Sequence, residues 1–84
     1  SVRAKFDEKE VKALKLLAKK LEKKYNEAEL SEEIYKIAND TGIAPKDFFK
    51  ACYKLLINKE RGPRLASFIL TIGKNKVIKL VSQI

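Results

Sequence analysis

FFKACYKLLINKERGPRLASFILTIG, residues 48–73, decides the fold. Two apolar stripes at helical spacing flank a short basic connector, Asn58-Lys59-Glu60-Arg61-Gly62-Pro63-Arg64. Phe48, Cys52, Leu55 and Leu56 make the first stripe, with Phe49 and Tyr53 beside it at i,i+4 spacing. The second holds Leu65, Ala66, Phe68, Ile69, Leu70 and Ile72. Neither alternates with a period of two, so the pattern is that of two helices joined at a corner. Gly62 offers backbone angles that other residues avoid, and Pro63 fixes its φ at a value suited to a first helical turn. Two of the three arginines of the chain, Arg61 and Arg64, flank this Gly-Pro pair. Taken alone, the connector is read first as a helix–helix turn with solvated charges. A second reading is a rigid helix start that presents two guanidinium groups to a phosphate or a base.

Outward from this corner the helical pattern continues. Pro45 opens the helix of residues 45–57, whose other side carries Lys46, Lys50 and Lys54 at i,i+4 spacing. The second helix is predicted from Pro63 to Ile72, ended by Gly73, and its nearly all-round apolarity marks it as the central helix. A last helix is predicted from an N-cap at Asn75, with Val77, Leu80, Val81 and Ile84 on one face. Towards the N-terminus, Asp7 and Glu10 form a capping-box pattern, with Phe6 and Val11 placed as a hydrophobic staple. Val11, Leu14, Leu17, Ala18, Leu21 and Tyr25 follow on one face. A further helix is predicted from an N-cap at Ser31, with Leu30 and Tyr35 as its staple and Ile34, Ile37 and Ala38 inward. Gly42 is its natural terminator, with Ile43 folding back on it. The expected fold class is all-α: a compact bundle of four to five short helices in one domain, residues 1–84.

Composition narrows the chemistry. The chain has 84 residues, no histidine and one cysteine, Cys52, set in an apolar stripe. That excludes Ser-His-Asp and Cys-His pairs and leaves no zinc ligand set. Three scattered glycines form no phosphate-cradling loop. The carboxylates cluster on the first two helices at positions expected to be exposed, not in an apolar pocket that would raise a general acid's pKa. No catalytic residue and no metal site are expected; the chain reads as a binding module. No apolar run approaches about 18 residues, so no membrane partner is expected. A lone cysteine and a start without an apolar signal core fit a cytoplasmic setting. The lack of methionine fits processing or excision from a larger protein.

The net charge of +8 is lopsided. Residues 1–42 hold 10 basic and 9 acidic side chains, whereas residues 43–84 hold 9 basic and 2 acidic ones. Nearly all the excess therefore lies in the half that contains the Arg61–Arg64 corner. A one-sided cationic field favours a polyanion, nucleic acid before an acidic protein or a membrane surface.

One arrangement carries more than general chemistry. The order Ile43-Ala44-Pro45-Lys46-Asp47-Phe48-Phe49-Lys50-Ala51-Cys52-Tyr53, then Leu55-Leu56-Ile57, then Lys59-Glu60-Arg61-Gly62-Pro63-Arg64, then Phe68-Ile69 and Ile72-Gly73, resembles the C-terminal anticodon-binding region of class I lysyl-tRNA synthetases. Glu60-Arg61-Gly62-Pro63-Arg64 is the distinctive part, and Asn58 stands where that family pattern often has glycine. The resemblance spans about residues 31–84. It implies an α-helical, cage-like anticodon-binding fold and a chain that is the C-terminal fragment of a larger, ATP-dependent lysine–tRNA ligase. The ATP site and the catalysis belong to the parent enzyme. The implied partners are the anticodon stem-loop of lysine tRNA and the remainder of the synthetase chain.

Single-stranded loops are read by stacking bases on aromatic rings or guanidinium planes while cations hold the backbone. Tyr53, Arg61 and Arg64 are the candidates for the first task, and Lys46, Lys50, Lys54, Lys59 and Lys74 for the second. Gly62 and Pro63 are expected to shape the corner. Each side chain also has a plainer reading: Tyr53 as packing, Arg61 as the partner of a carboxylate, Arg64 as a cap on helix carbonyls. A structural or protein-interaction helical module is the alternative function. DNA is not expected as a partner, because the helix after the corner is too apolar to read a major groove.

Overall fold

The computed structural model describes residues 5–84. Five helices follow in order: α1 (Glu8–Lys20), α2 (Glu27–Thr41), α3 (Pro45–Ile57), α4 (Leu65–Ile72) and α5 (Lys74–Val81). The all-α expectation holds, and the described residues contain no strand.

Local chemistry sets most boundaries. Asp7 accepts from the Glu10 backbone N–H at 2.8 Å while Glu10 accepts from the Asp7 N–H at 2.9 Å, closing the expected capping box. Gly42 ends α2 in the left-handed region at φ 73°, and the Ile43 N–H returns to the Ala38 carbonyl at 3.0 Å. Ile43 is buried there, as its position predicted.

Four boundaries differ from expectation. α1 stops at Lys20 with Leu21 as its C-cap, so Tyr25, expected on its apolar face, lies beyond the helix. α2 starts a turn early, because Asn26 and Glu29 form a second capping box at 2.8 and 2.9 Å. That start places Leu30 fully in the core and leaves Tyr35 half exposed, so these two residues form no staple. α4 begins at Leu65, with Arg64 as its N-cap residue at φ −49°, ψ 118°, and Pro63 lies before it, outside the helix. α5 begins at Lys74, so a single residue, Gly73 at φ 91°, separates it from α4.

The core is one cluster, and among the described residues no polar or charged side chain is buried. Ala13, Leu14, Leu17 and Leu21 of the α1 segment meet Leu30, Ile34, Ile37 and Ala38 of α2. Phe48, Ala51 and Cys52 enter from α3, Leu65, Ala66 and Ile69 from α4, Val77 and Val81 from α5. The central helix is α3, which contacts all four others, and not α4. α4 buries only one stripe and leaves Leu70 42% exposed. Its all-round apolarity thus reflects a short helix with an open side.

Candidate nucleic-acid interface

The candidate site is built on the corner between α3 and α4. Asn58 ends α3 in the left-handed region at φ 57°, ψ 37°. Its own N–H reaches the Lys54 carbonyl at 3.0 Å and the Lys59 N–H reaches Tyr53's at 3.5 Å. Asparagine is among the few side-chain-bearing residues that adopt this conformation at small cost, so α3 can end here without glycine.

The chain then doubles back over Tyr53. The Tyr53 ring is only 8% exposed, and its hydroxyl donates to the Pro63 carbonyl. Gly62 lies directly on that ring: a Cβ there would sit 2.8 Å from Tyr53 Cδ1 and Cε1 and 3.1 Å from Ile57 Cδ1. Gly62 has no positive φ. Glycine is therefore required by close approach and not by unusual backbone angles. Tyr53 is the buttress of the corner, and its ring is not offered to a stacking base. Burial, with a smaller contribution from the adjacent Cys52, holds its phenol above the ordinary value.

With the turn fixed, the two arginines project on the outside. The Arg64 guanidinium donates to the Glu27 carboxylate at 3.1 Å, yet its side chain is 80% exposed. Glu27 therefore aims the group without burying it. Arg61 is exposed and has no hydrogen-bond or ion-pair partner among the described residues.

Both arginines line a groove of about 1090 Å³ between α2, α3 and the start of α4. Ala28, Ile34, Leu65 and Ala66 supply its apolar side, and Lys46 and Lys50 of α3 stand on its wall. Of the charged side chains lining it, four are cationic (Lys46, Lys50, Arg61 and Arg64) and two are acidic (Glu27 and Glu60). Lys54 lies one turn further along α3, in an adjoining cleft of about 390 Å³ shared with Lys9, Asp47 and Glu60. Lys59 is exposed at the corner but lines neither cleft. Lys74 is elsewhere: it borders a third cleft with Leu21, Lys23, Tyr25 and Leu70, and its Nζ reaches the Glu22 carbonyl at 3.5 Å. The fold thus gathers Arg61, Arg64, Lys46 and Lys50 on one groove, with the buried Tyr53 also in its lining, and leaves Lys59 and Lys74 out.

Two aromatic rings in this groove, Tyr35 and Phe49, are read from the sequence as packing residues and not as site candidates. Tyr35 of α2 is 50% exposed and meets Phe49 of α3 edge-to-face, with centroids 5.4 Å apart and planes at 89°. A sequence signal existed: Tyr35 falls off the Ile34–Ile37–Ala38 stripe, among Glu32, Glu33 and Lys36, on the polar side of its helix.

Other chemistry finds no footing among the described residues. No group of three His, Cys, Asp or Glu side chains is placed to hold a metal ion. No helix is long and apolar enough to cross a membrane. Cys52 is buried as a free thiol whose pKa burial pushes far upward, which makes it a core residue and not a nucleophile.

Comparison with known proteins agrees with the geometry. The chain matches the anticodon binding domain family over residues 2–83. It is 42% identical to a lysine–tRNA ligase of Borrelia garinii subsp. bavariensis, covering 98% of this chain and 18% of that protein. Against the lysine–tRNA ligase of Borreliella burgdorferi the identity is 41%, over 99% of this chain and 18% of the relative. The lysine–tRNA ligase of the archaeon Methanocaldococcus jannaschii is 37% identical, over 93% of this chain and 15% of its own length. The chain thus spans less than a fifth of the curated relatives it matches, and it belongs to the anticodon-binding-domain family in the form carried by lysine–tRNA ligases.

Proposed function

We propose that this chain binds the anticodon stem-loop of lysine tRNA as the C-terminal module of a class I lysyl-tRNA synthetase. In that role it contributes recognition to the attachment of lysine to its tRNA, while ATP use and catalysis lie in the rest of the synthetase. The setting is the cytoplasm, and the remaining synthetase chain is its covalent partner. The observation that carries the reading is the convergence of Lys46, Lys50, Arg61 and Arg64 on one groove of a domain from an anticodon-binding family. The lysines are point charges suited to phosphates; the guanidiniums are planar and suited to a phosphate or a base edge.

The test is a titration of the chain, and of a synthetase that carries it, with lysine tRNA, a second tRNA and duplex DNA at two salt concentrations. Preference for lysine tRNA is expected, with affinity falling as salt rises. Arg61→Ala and Arg64→Ala should each cost about 1–3 kcal/mol where they read a base, and Lys50→Ala should flatten the salt dependence. Lys74→Ala, outside the groove, should change little. Neutral arginine variants in the synthetase, or binding that ignores salt, would overturn the reading in favour of a structural or protein-docking module.

A further inference from the structure

We propose that Tyr35, braced by Phe49, is a stacking platform for an unpaired nucleobase whose flanking phosphates lie on the groove's lysines and arginines. The proposal rests on the RNA-binding reading above and names the ring that takes a base, a task for which Tyr53, Arg61 and Arg64 are the sequence candidates.

Only two large apolar side chains are strongly exposed among the described residues, Tyr35 and Leu70. Tyr35 is the one that lies in the cationic groove. An aromatic ring half in water forfeits apolar burial unless something covers it. The perpendicular contact with Phe49, at 5.4 Å, restrains the ring while half of its surface stays open. A base that settles there meets a pre-set ring, so little side-chain freedom is lost on binding.

The surroundings select the occupant. Lys46 and Lys50 come from α3 and Arg61 and Arg64 from the corner, so cations flank the ring from two elements. This combination of an aromatic face with bracketing positive charge fits single-stranded nucleic acid, in which each base carries a π-face and each link a phosphate. Duplex RNA is a poor occupant, because its bases are stacked on one another and present only groove edges. A peptide of aspartates and glutamates would meet the same cations but carries no base to cover the Tyr35 ring.

The experiment compares Tyr35→Ala, Tyr35→Leu and Tyr35→Phe in the 84-residue chain. The probes are a synthetic lysine-tRNA anticodon stem-loop with 2-aminopurine in the loop, and a fully paired hairpin of matched charge. Tyr35→Ala should weaken stem-loop binding about 5- to 150-fold, and Tyr35→Phe should keep it, since the ring and not the hydroxyl stacks. Tyr35→Leu should behave like Tyr35→Ala. The salt slope should be unchanged in all three variants, because no charge is removed. The 2-aminopurine fluorescence should be quenched on binding by the wild-type chain and the Phe variant alone. Melting curves establish that each variant folds, which is expected of a half-exposed site. Stem-loop binding by Tyr35→Ala within twofold of wild type, or by Tyr35→Leu as tight as by Tyr35→Phe, overturns the platform. If Lys50→Ala and Arg61→Ala still weaken binding in that case, RNA recognition stands and only the platform falls. If no variant matters and the wild type ignores RNA, both fall.

Discussion

Replacing Gly62 by alanine tests the corner on which the interface depends. The new Cβ would stand 2.8 Å from Tyr53 Cδ1 and Cε1, well inside contact distance. Ile57 Cδ1, at 3.1 Å, is the end of a flexible side chain and can give way. The Tyr53 ring has no such freedom, because it is rigid, 8% exposed and tied through its hydroxyl to the Pro63 carbonyl. Either the ring shifts or the turn lifts, at an overpacking cost of about 1–3 kcal/mol. Loss of the hydroxyl's hydrogen bond adds about 0.5–1.5 kcal/mol. Against this, alanine restricts the unfolded chain and returns about 0.4–1 kcal/mol, since Gly62 has no positive φ. The net expectation is a loss of about 0.5–4 kcal/mol, centred on about 2 kcal/mol, from a total of about 4–13 kcal/mol for a chain of this size. At about 4–8 °C per kcal/mol, that central value lowers the melting temperature by roughly 8–16 °C. Urea titration followed by circular dichroism gives the same quantity independently. The decisive control is Tyr53→Leu, which removes the crowded edge of the ring. In that background Gly62→Ala should be neutral or slightly stabilising. A Gly62→Ala variant that melts at or above wild type, or whose penalty survives Tyr53→Leu, would refute the close-approach argument.

Further outcomes follow from other parts of the same region. Asn58→Gly should hold or raise stability by up to about 1 kcal/mol and Asn58→Ala should lower it by about 1 kcal/mol in urea titrations, because the position is left-handed. Arg64→Ala should change stability by no more than about 1 kcal/mol, as its pair with Glu27 is exposed, although RNA affinity should fall. Glu27→Gln should leave the melting temperature nearly unchanged and tighten RNA binding a few-fold by removing a competing carboxylate. Burial raises both the Cys52 thiol and the Tyr53 phenol above their unfolded values. Each therefore contributes stability that is complete below the unfolded pKa and is lost as pH climbs towards the folded one. Unfolding free energy should decline from about pH 8.5 upward, and a thiol reagent at pH 8 should label Cys52 only in urea.

What could be read from the sequence was what lies within one helical turn. The Asp7–Glu10 box, the Gly42 terminator and Pro45 at the head of α3 are contacts between residues at most a few positions apart, and each formed as expected. The start of α2 is expected at Ser31 from its own side chain, but the Asn26–Glu29 box opens the helix a turn earlier, and Leu30 is buried within it. The error over α4 has a similar origin. Composition fixes how apolar a helix is, whereas its position depends on how many neighbours surround it, and α3 has more. Tyr53 was legible as an aromatic beside the corner, but its bond to Pro63 and its contact with Gly62 depend on how the connector folds back. Tyr35 and Phe49 are 14 positions apart on different helices, and only α2–α3 packing makes them a pair.

On the RNA-binding reading, the two arginines have different tasks despite their symmetric placement about Gly62 and Pro63. Arg64 is held by Glu27 from another helix, so its guanidinium is oriented before any ligand arrives. An exposed pair of this kind contributes about 0–1 kcal/mol, so a phosphate that displaces Glu27 forfeits little. Arg61 has no described partner to give up, but its long side chain must lose its own freedom on binding, at about 0.5–1.5 kcal/mol. Glu27 thus acts as a placeholder that positions one cation and keeps the groove's positive charge moderate. The affinity such a site supplies must come from replacing that weak carboxylate contact with a denser anion, and from covering the aromatic surface beside it. Both gains require a ligand that carries phosphate and an unstacked ring together, and the unpaired loop of a tRNA is such a ligand.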